Sequence, residues 1–193
     1  MGETAMAWHS GRDNVTNTFL STPWWLTQLG TLSATHAVQC RQTLVGGFYE
    51  LIDRRAMQPN PDFWAALLWK RIMGPRRLSA TNSAWGPVLS YVHCAVGGGV
   101  AVEYVNFNNA SAYTTDVVID GVAPPSPRLE YMLTPTGGDY GTRSLLLNGS
   151  PLTFEGGVLS PTPPHTGSGG LVLAPKSLGF VVYPNAQVKA CMP

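Results

Sequence analysis

Charge is scarce in this sequence. Asp, Glu, Lys and Arg together make up 12% of its 193 residues, about half of the ~25% usual in globular chains. The formal net charge is +1, so no overall field draws the chain to nucleic acid or to an anionic membrane, and an acidic ligand needs a local basic site. No apolar run reaches the ~18 residues of a membrane-spanning helix. A signal peptide is also lacking, because the opening residues include Glu3 and His9 and no charged stretch leads into an apolar one. Cysteine is limited to Cys40, Cys94 and Cys191, with no C-x-x-C pair and no zinc spacing. No metal site and no cofactor are expected, and the odd count permits one disulfide and one free thiol. His9, His36, His93 and His165 show no ligand spacing either.

Glycine (21), proline (16) and tryptophan (6) are plentiful, and 44% of residues are hydrophobic. That mixture suits a globular, loop-rich chain with many strands and argues against disorder. The length gives room for one large or two small domains. Sequons at Asn14, Asn109 and Asn148 hint at a secretory route, although Pro151 after the last makes it a poor acceptor. Secretory features without a signal peptide predict that Met1 is not the biological start.

The first stretch, Gly2-Glu3-Thr4, places a carboxylate after a short apolar lead and before a turn-prone run. Barrel enzymes present an acid in this way, at the C-terminal end of a strand. Residues 1–5 read as the end of a buried strand and residues 6–15 as a polar loop. Residues 16–37 carry a helical pattern, with Pro23 marking a kink or a helix start near Thr22. Strand character follows over 37–44 and again over 48–53, separated by Gly46-Gly47. Pro61-Asp62 opens a helix over 63–73 with Phe63, Leu67, Leu68 and Ile72 on one face, and Gly74-Pro75 closes it.

Beyond Pro75 only strands are expected: 77–81, 88–96, 100–106, 113–119, 127–133, 144–147, 152–154 and 177–183. Residues 100–107 alternate in period 2, as a half-buried strand does, and 160–170 read as an exposed loop. The fold class expected is α/β followed by all-β, with a boundary near residues 74–76. Residues 1–75 read as the last strands and helices of a (β/α)8 TIM barrel, too few for a barrel of ~250 residues. Residues 76–193 read as a C-terminal β-sandwich.

Several segments together resemble the heparanases and heparanase-like β-glucuronidases of glycoside hydrolase family 79. They are Gly2-Glu3-Thr4, Arg41-Gln42 with Gly46-Gly47-Phe48-Tyr49-Glu50-Leu51-Ile52-Asp53, and Pro61-Asp62-Phe63-Trp64-Ala65-Ala66-Leu67-Leu68-Trp69-Lys70-Arg71. Tyr91-Val92-His93-Cys94, Leu147-Asn148-Gly149 and Asn185-Ala186-Gln187-Val188-Lys189-Ala190-Cys191 complete the set. The resemblance implies a barrel followed by a sandwich, and retaining hydrolysis of glucuronic-acid-containing glycans such as heparan sulfate or a plant-type glucuronide. It implies that Glu3 is the nucleophile. It also implies that Gln42, Gly46, Gly47 and Tyr49 grip the sugar carboxylate through backbone N–H groups and a phenol, in a loop one residue shorter here. Trp8 stands where the family often has a tyrosine, which keeps an aromatic platform without its hydroxyl. Cys94 and Cys191 match a disulfide, leaving Cys40 as a small buried hydrophobe. The implied location is extracellular, lysosomal or membrane-associated, with Asn14 and Asn109 as candidate glycosylation sites.

The family's acid/base glutamate lies in an Asn-Glu-Pro motif, which this sequence lacks. The chain alone is therefore expected to be inactive, with an upstream barrel segment or a partner chain completing it. The alternative is a non-catalytic β-sandwich protein that binds carbohydrate or another protein and keeps a remnant of a barrel. Arg41 either neutralises an acid in the site or packs at a barrel rim. Arg54-Arg55, Lys70-Arg71 and Arg76-Arg77 read as solvated faces and helix-end charges in preference to a polysaccharide patch. The Trp24-Trp25 pair reads as core.

Overall fold

The computed structural model describes residues 1–192. The chain is mostly sheet, and two α-helices occur among the described residues, α1 (Ser21–Leu32) and α2 (Pro61–Ile72). The strands are β1 (Ile52–Asp53), β2 (Gln58–Pro59), β3 (Met73–Leu78), β4 (Val88–Ala95), β5 (Val100–Asn106), β6 (Tyr113–Thr115) and β7 (Arg128–Pro135). They continue as β8 (Leu145–Leu147), β9 (Ser150–Pro151), β10 (Phe154–Glu155), β11 (Val158–Leu159), β12 (His165–Gly167), β13 (Leu171–Leu173) and β14 (Leu178–Tyr183). Two compact units form, one from Met1–Leu67 with Thr134–Thr162 and the other from Leu68–Leu133 with Pro163–Pro193. The chain thus changes unit inside α2, inside β7 and again between Thr162 and Pro163.

In the first unit, Pro23 lies in the first turn of α1, where its missing N–H costs no helical bond. The proline therefore marks a start, and the helix is shorter than the periodic stretch 16–37. Trp25, Leu26 and Leu29 are its buried side chains. The strand expected over 37–44 does not form as such. One isolated parallel bridge joins Thr4 to Arg41, with Thr4 N–H donating to Cys40 O at 3.0 Å and Gln42 N–H donating to Thr4 O at 2.8 Å. The order is extended segment, helix, parallel extended segment, which is the βαβ connection. Cys40 is exposed, contrary to the expected buried position, because its neighbour Arg41 takes the packed side of the bridge.

Arg41 is buried to 3% side-chain exposure and donates to the Asp62 carboxylate at 2.6 Å. Its guanidinium also lies 5.3 Å from the Trp24 ring and 5.7 Å from the Trp25 ring. Thr4 Oγ1 donates to Gln28 Oε1 of α1 at 3.0 Å. One face of the bridge is thereby tied to both helices. The buried stripe of α2 runs through Trp64, Ala65, Leu68 and Ile72, while Phe63 and Leu67 are half-buried. The expected face was therefore offset around the helix.

In the second unit the strands lie in the antiparallel order β3-β4-β5-β14-β7, and β12 also pairs with β7. Gly74-Pro75 ends α2 but also lies inside β3. A Cβ on Gly74 would sit 2.4 Å from Cys94 O, so only glycine allows this approach of β3 to β4. The centre of the sheet is β5, buried at every position, and the period-2 reading of residues 100–107 misses this because both faces are covered. Val100, Val102 and Tyr104 join Val88, Val181 and Leu171 in one buried cluster, to which β13, paired with β6, contributes. Neither β12 nor β13 was expected. The sequence 165–170 has no apolar alternation, and β12 is held by its register with Arg128, Leu129 and Glu130. Cys94 and Cys191 form a disulfide across a sequence separation of 97, a loop whose closure is worth about 4–5 kcal/mol in the chain-entropy model.

Glu103 lies at the centre of β5, opposite Tyr91 and Phe180. It is fully buried, and neither carboxylate oxygen has a hydrogen-bond partner among the described residues. Burial pushes its carboxyl well above the ordinary range, so the folded chain keeps a proton that the unfolded chain releases. Stability from this group is present below the unfolded value and falls as pH rises. Glu103→Leu is expected to raise the unfolding midpoint, by more at about pH 8 than at about pH 5. A thermal melt at the two pH values that gave the same shift would contradict this.

Burial, opposed by Arg41, raises the Asp62 carboxyl to about 6. Its contribution to stability therefore falls as pH rises from about 4 to about 6. Arg41→Met is expected to cost about 3–5 kcal/mol at neutral pH by leaving a buried charge unpaired. The loss is smaller near about pH 4, where Asp62 is protonated in either protein. Urea unfolding at the two pH values checks this, and equal losses would refute it.

Candidate functional site

Successive side chains of an extended segment point to opposite faces. Thr4 and Arg41 share the packed face of their bridge, so Glu3 and Gln42 fall on the other one. Glu3 is exposed and has no hydrogen-bond or ion-pair partner among the described residues. The expected buried strand end is thus buried on the helix side only.

The loop after Glu3 is built on unusual backbone. His9, Ser10 and Gly11 all have positive φ, 50°, 67° and 79°, and Gly11 N–H closes the turn onto Trp8 O at 3.1 Å. The turn at 46–49 packs on this loop. Phe48 N–H donates to Ser10 O at 2.5 Å. A Cβ on Gly47 would stand 3.0 Å from Ser10 O and 3.1 Å from the Tyr49 ring, and one on Gly11 would stand 2.4 Å from Thr16 Oγ1. Glycine at both positions is what lets the two loops meet. Thr16 Oγ1 then donates to Phe48 O at 2.6 Å.

Two groups of residues result. Glu3 and Gln42 share one face of the parallel bridge, with Cys40 opposite Glu3 and Gln42 two positions further along, while Gly47 and Tyr49 pack with the loop at 8–11. Tyr49 is buried, and Trp8 is 83% exposed, with its ring edge-on to His9 at 5.7 Å. Gly46 N–H is already engaged, donating to the Glu50 carboxylate at 2.5 Å. Asn14 and Asn109 are both exposed.

Sequence reasoning did not single out Glu50, Asp53 or Arg143. Arg143 donates to Asp53 at 2.9 Å and to Asp13 at 2.5 Å, fastening the segment before β8 to both loops. Backbone N–H groups, that of Ala56 first, hold Asp53 below the ordinary carboxylate range, and Arg143 adds to this. The Asn17 amide does the same for Asp13, again with help from Arg143. The pairing spans up to 130 positions of sequence, and no local pattern encodes it. For Glu50 the only local signal is a carboxylate placed four residues after a glycine that takes a positive φ. No cluster of His, Cys, Asp and Glu able to hold a metal ion occurs among the described residues. A cavity of about 630 Å³ lies within the second unit between the β4–β5 face and β6–β13. None of the candidate site residues lines it, and members of the apolar cluster share its walls with polar residues of 79–83 and 114–116.

No protein-family model matches the chain. Among curated proteins it is 34% identical over 226 aligned residues to heparanase-like protein 1 of Arabidopsis thaliana, covering 99% of this chain and 41% of that one. It is 35% identical to baicalin-beta-D-glucuronidase of Scutellaria baicalensis, covering 99% and 37%, and 32% identical to heparanase of Mus musculus, covering 100% and 38%. The chain thus spans 37–41% of the length of these relatives. In fold it is similar to the GH51 arabinofuranosidase of Xanthomonas axonopodis pv. citri, with a TM-score of 0.59 and 13% identity, over 86% of this chain and 35% of that one. Matched over nearly its whole length by these relatives, the chain belongs with the heparanases and heparanase-like proteins.

Proposed function

We propose that this chain carries the nucleophile and the sugar-gripping loop of a retaining hydrolase of glucuronic-acid-containing glycans, with Glu3 as the nucleophile. The observation that carries the reading is the placement of Glu3 on the open face of a bridge whose other face is packed, a face it shares with Gln42. In such a reaction one carboxylate attacks the anomeric carbon as the glycosidic C–O bond breaks. A second carboxyl ~5 Å away protonates the leaving oxygen and later takes a proton from the water that releases the sugar. Trp8 offers an apolar face to the sugar ring, and Gly46, Gly47 and Tyr49 are the candidates for its carboxylate, with the Gly46 N–H held by Glu50 in the free chain.

This chain supplies the first carboxylate. Glu50 is held internally by the Gly46 and Arg54 N–H groups, Glu103 is fully buried, Glu130 is paired with Arg128 and Glu155 lies in the β10–β11 hairpin, outside the bridge and its loops. The acid/base therefore comes from a barrel segment or partner chain beyond these residues. The architecture that fits is part of a (β/α)8 barrel over residues 1–75 and a β-sandwich over 76–193. The parallel bridge around α1 supports the first, and the apolar cluster shared by β5 and β13 supports the second. Relatives named heparanase and hyaluronoglucuronidase favour a glycosaminoglycan-type substrate, and the baicalin-beta-D-glucuronidase relative favours a small plant glucuronide. An extracellular or lysosomal location suits the disulfide and the exposed sequons at Asn14 and Asn109.

The purified 193-residue chain is expected to give no turnover of 4-nitrophenyl β-D-glucuronide above buffer. Turnover that disappears in Glu3→Gln would keep the nucleophile and overturn the need for an outside acid. Turnover that survives in Glu3→Gln would overturn the nucleophile itself.

A further inference from the structure

Glu50 is buried, yet both oxygens of its carboxylate are used. Oε2 accepts the Gly46 N–H at 2.5 Å and Oε1 accepts the Arg54 N–H at 3.0 Å. Its backbone carbonyl accepts the side-chain amide of buried Asn60 at 2.7 Å, which pins the main chain and leaves the side chain as the movable part. Gly46 has φ +119°, and the nearest atom to an added Cβ is a Thr43 methyl at 3.8 Å. An N–H presented by an open glycine turn is a donor suited to an anion. Here the anion it holds belongs to the protein.

A second place for that carboxylate lies next to the first. Glu50, Phe48, Arg54, Arg55 and Arg143 line a cavity of about 150 Å³ together with Asp13, Asp53 and Ala56. The guanidinium groups of Arg54 and Arg55 stack on Phe48 at 5.4 and 5.8 Å, and Arg143 is committed to Asp13 and Asp53. A Glu50 side chain swung off Gly46 would exchange backbone N–H groups for a cavity in which Arg54, Arg55 and Arg143 stand against Asp13 and Asp53, so a third carboxylate there still meets a guanidinium.

We propose that Glu50 is an internal competitor for the carboxylate of a uronic-acid sugar, occupying the Gly46 N–H until the ligand displaces it towards Arg54 and Arg55. The inference rests on the reading of the turn at 46–49 as sugar-gripping. Two carboxylates cannot share one N–H, and like charges that close repel. Glu50 therefore selects against weakly bound uronates and is indifferent to neutral sugars.

The test is amide NMR of the full chain, wild type and Glu50→Gln, titrated with methyl β-D-glucuronide and methyl β-D-glucoside. Glucuronide is expected to move the Gly46 signal at about tenfold lower concentration in Glu50→Gln than in wild type, and glucoside to move the Trp8 signals equally in both. Equal glucuronide affinity in the two folded proteins overturns the proposal while leaving the sugar site standing. If neither sugar moves Trp8, Gly46 or Gly47 in either protein, the sugar-site reading fails and the proposal fails with it. Should Glu50→Gln not fold, the Glu50 carboxyl signal of the wild type decides. Saturating glucuronide is expected to move it and glucoside is not, and a Glu50 signal unmoved at saturation overturns the proposal.

Discussion

The buried Arg41–Asp62 pair is the contact on which the candidate site depends. Arg41 is the bridge partner of Thr4, so whatever holds Arg41 also fixes where Glu3 stands. Asp62 holds it from the first turn of α2, and Trp24 and Trp25 of α1 cover its guanidinium. One side chain thus joins an extended segment to two helices. The arrangement is costly, because both charges lose water and the Arg41 Nε and Asp62 Oδ1 atoms lack partners among the described residues. Buried pairs of this kind contribute little net stability but make a broken geometry expensive. The packed face belongs to this pair, and Glu3 and Gln42 are left on the open one.

Three of the buried acids, Asp62, Glu50 and Glu103, meet burial in different ways. Asp62 has a guanidinium, Glu50 has two backbone N–H groups, and Glu103 has neither. Only the first two tie segments of the first unit together. Glu103 sits between Tyr91 and Phe180 in a strand covered on both sides, where the low-cost state is the protonated one. The placement of Glu50 bears most on function, because its N–H donors include one that the family resemblance would assign to a substrate.

Much of this was legible in the sequence where periodicity and punctuation agree. Pro61-Asp62 before an apolar repeat marks α2, and the apolar runs of β4, β5 and β14 are bounded by turn residues. Elements defined by a partner were not legible. Residues 165–167 become β12 only because β7 pairs with them, and 37–44 yield a single bridge because one neighbour is present. Cys40 looks apolar in a strand-like run but occupies the open face. In the site, the motif residues Gly47 and Tyr49 meet the loop at 8–11 through contacts that no local pattern encodes. The Glu50–Gly46 contact and the Arg143 clamp are tertiary choices that no local pattern records. Arg41 lay open between two readings, and its choice of Asp62 is the one that organises the unit.

Amide hydrogen exchange at Thr4 and Gln42 tests this account most directly, because those N–H groups are the bonds that dock the Glu3 segment. Both are predicted to exchange slowly in the wild type and to become fast together in Arg41→Met, with the β5 amides still protected. A Thr4 amide that already exchanges at the rate of a free peptide in the wild type would contradict the account, because Glu3 would then have no fixed place on the open face of the bridge.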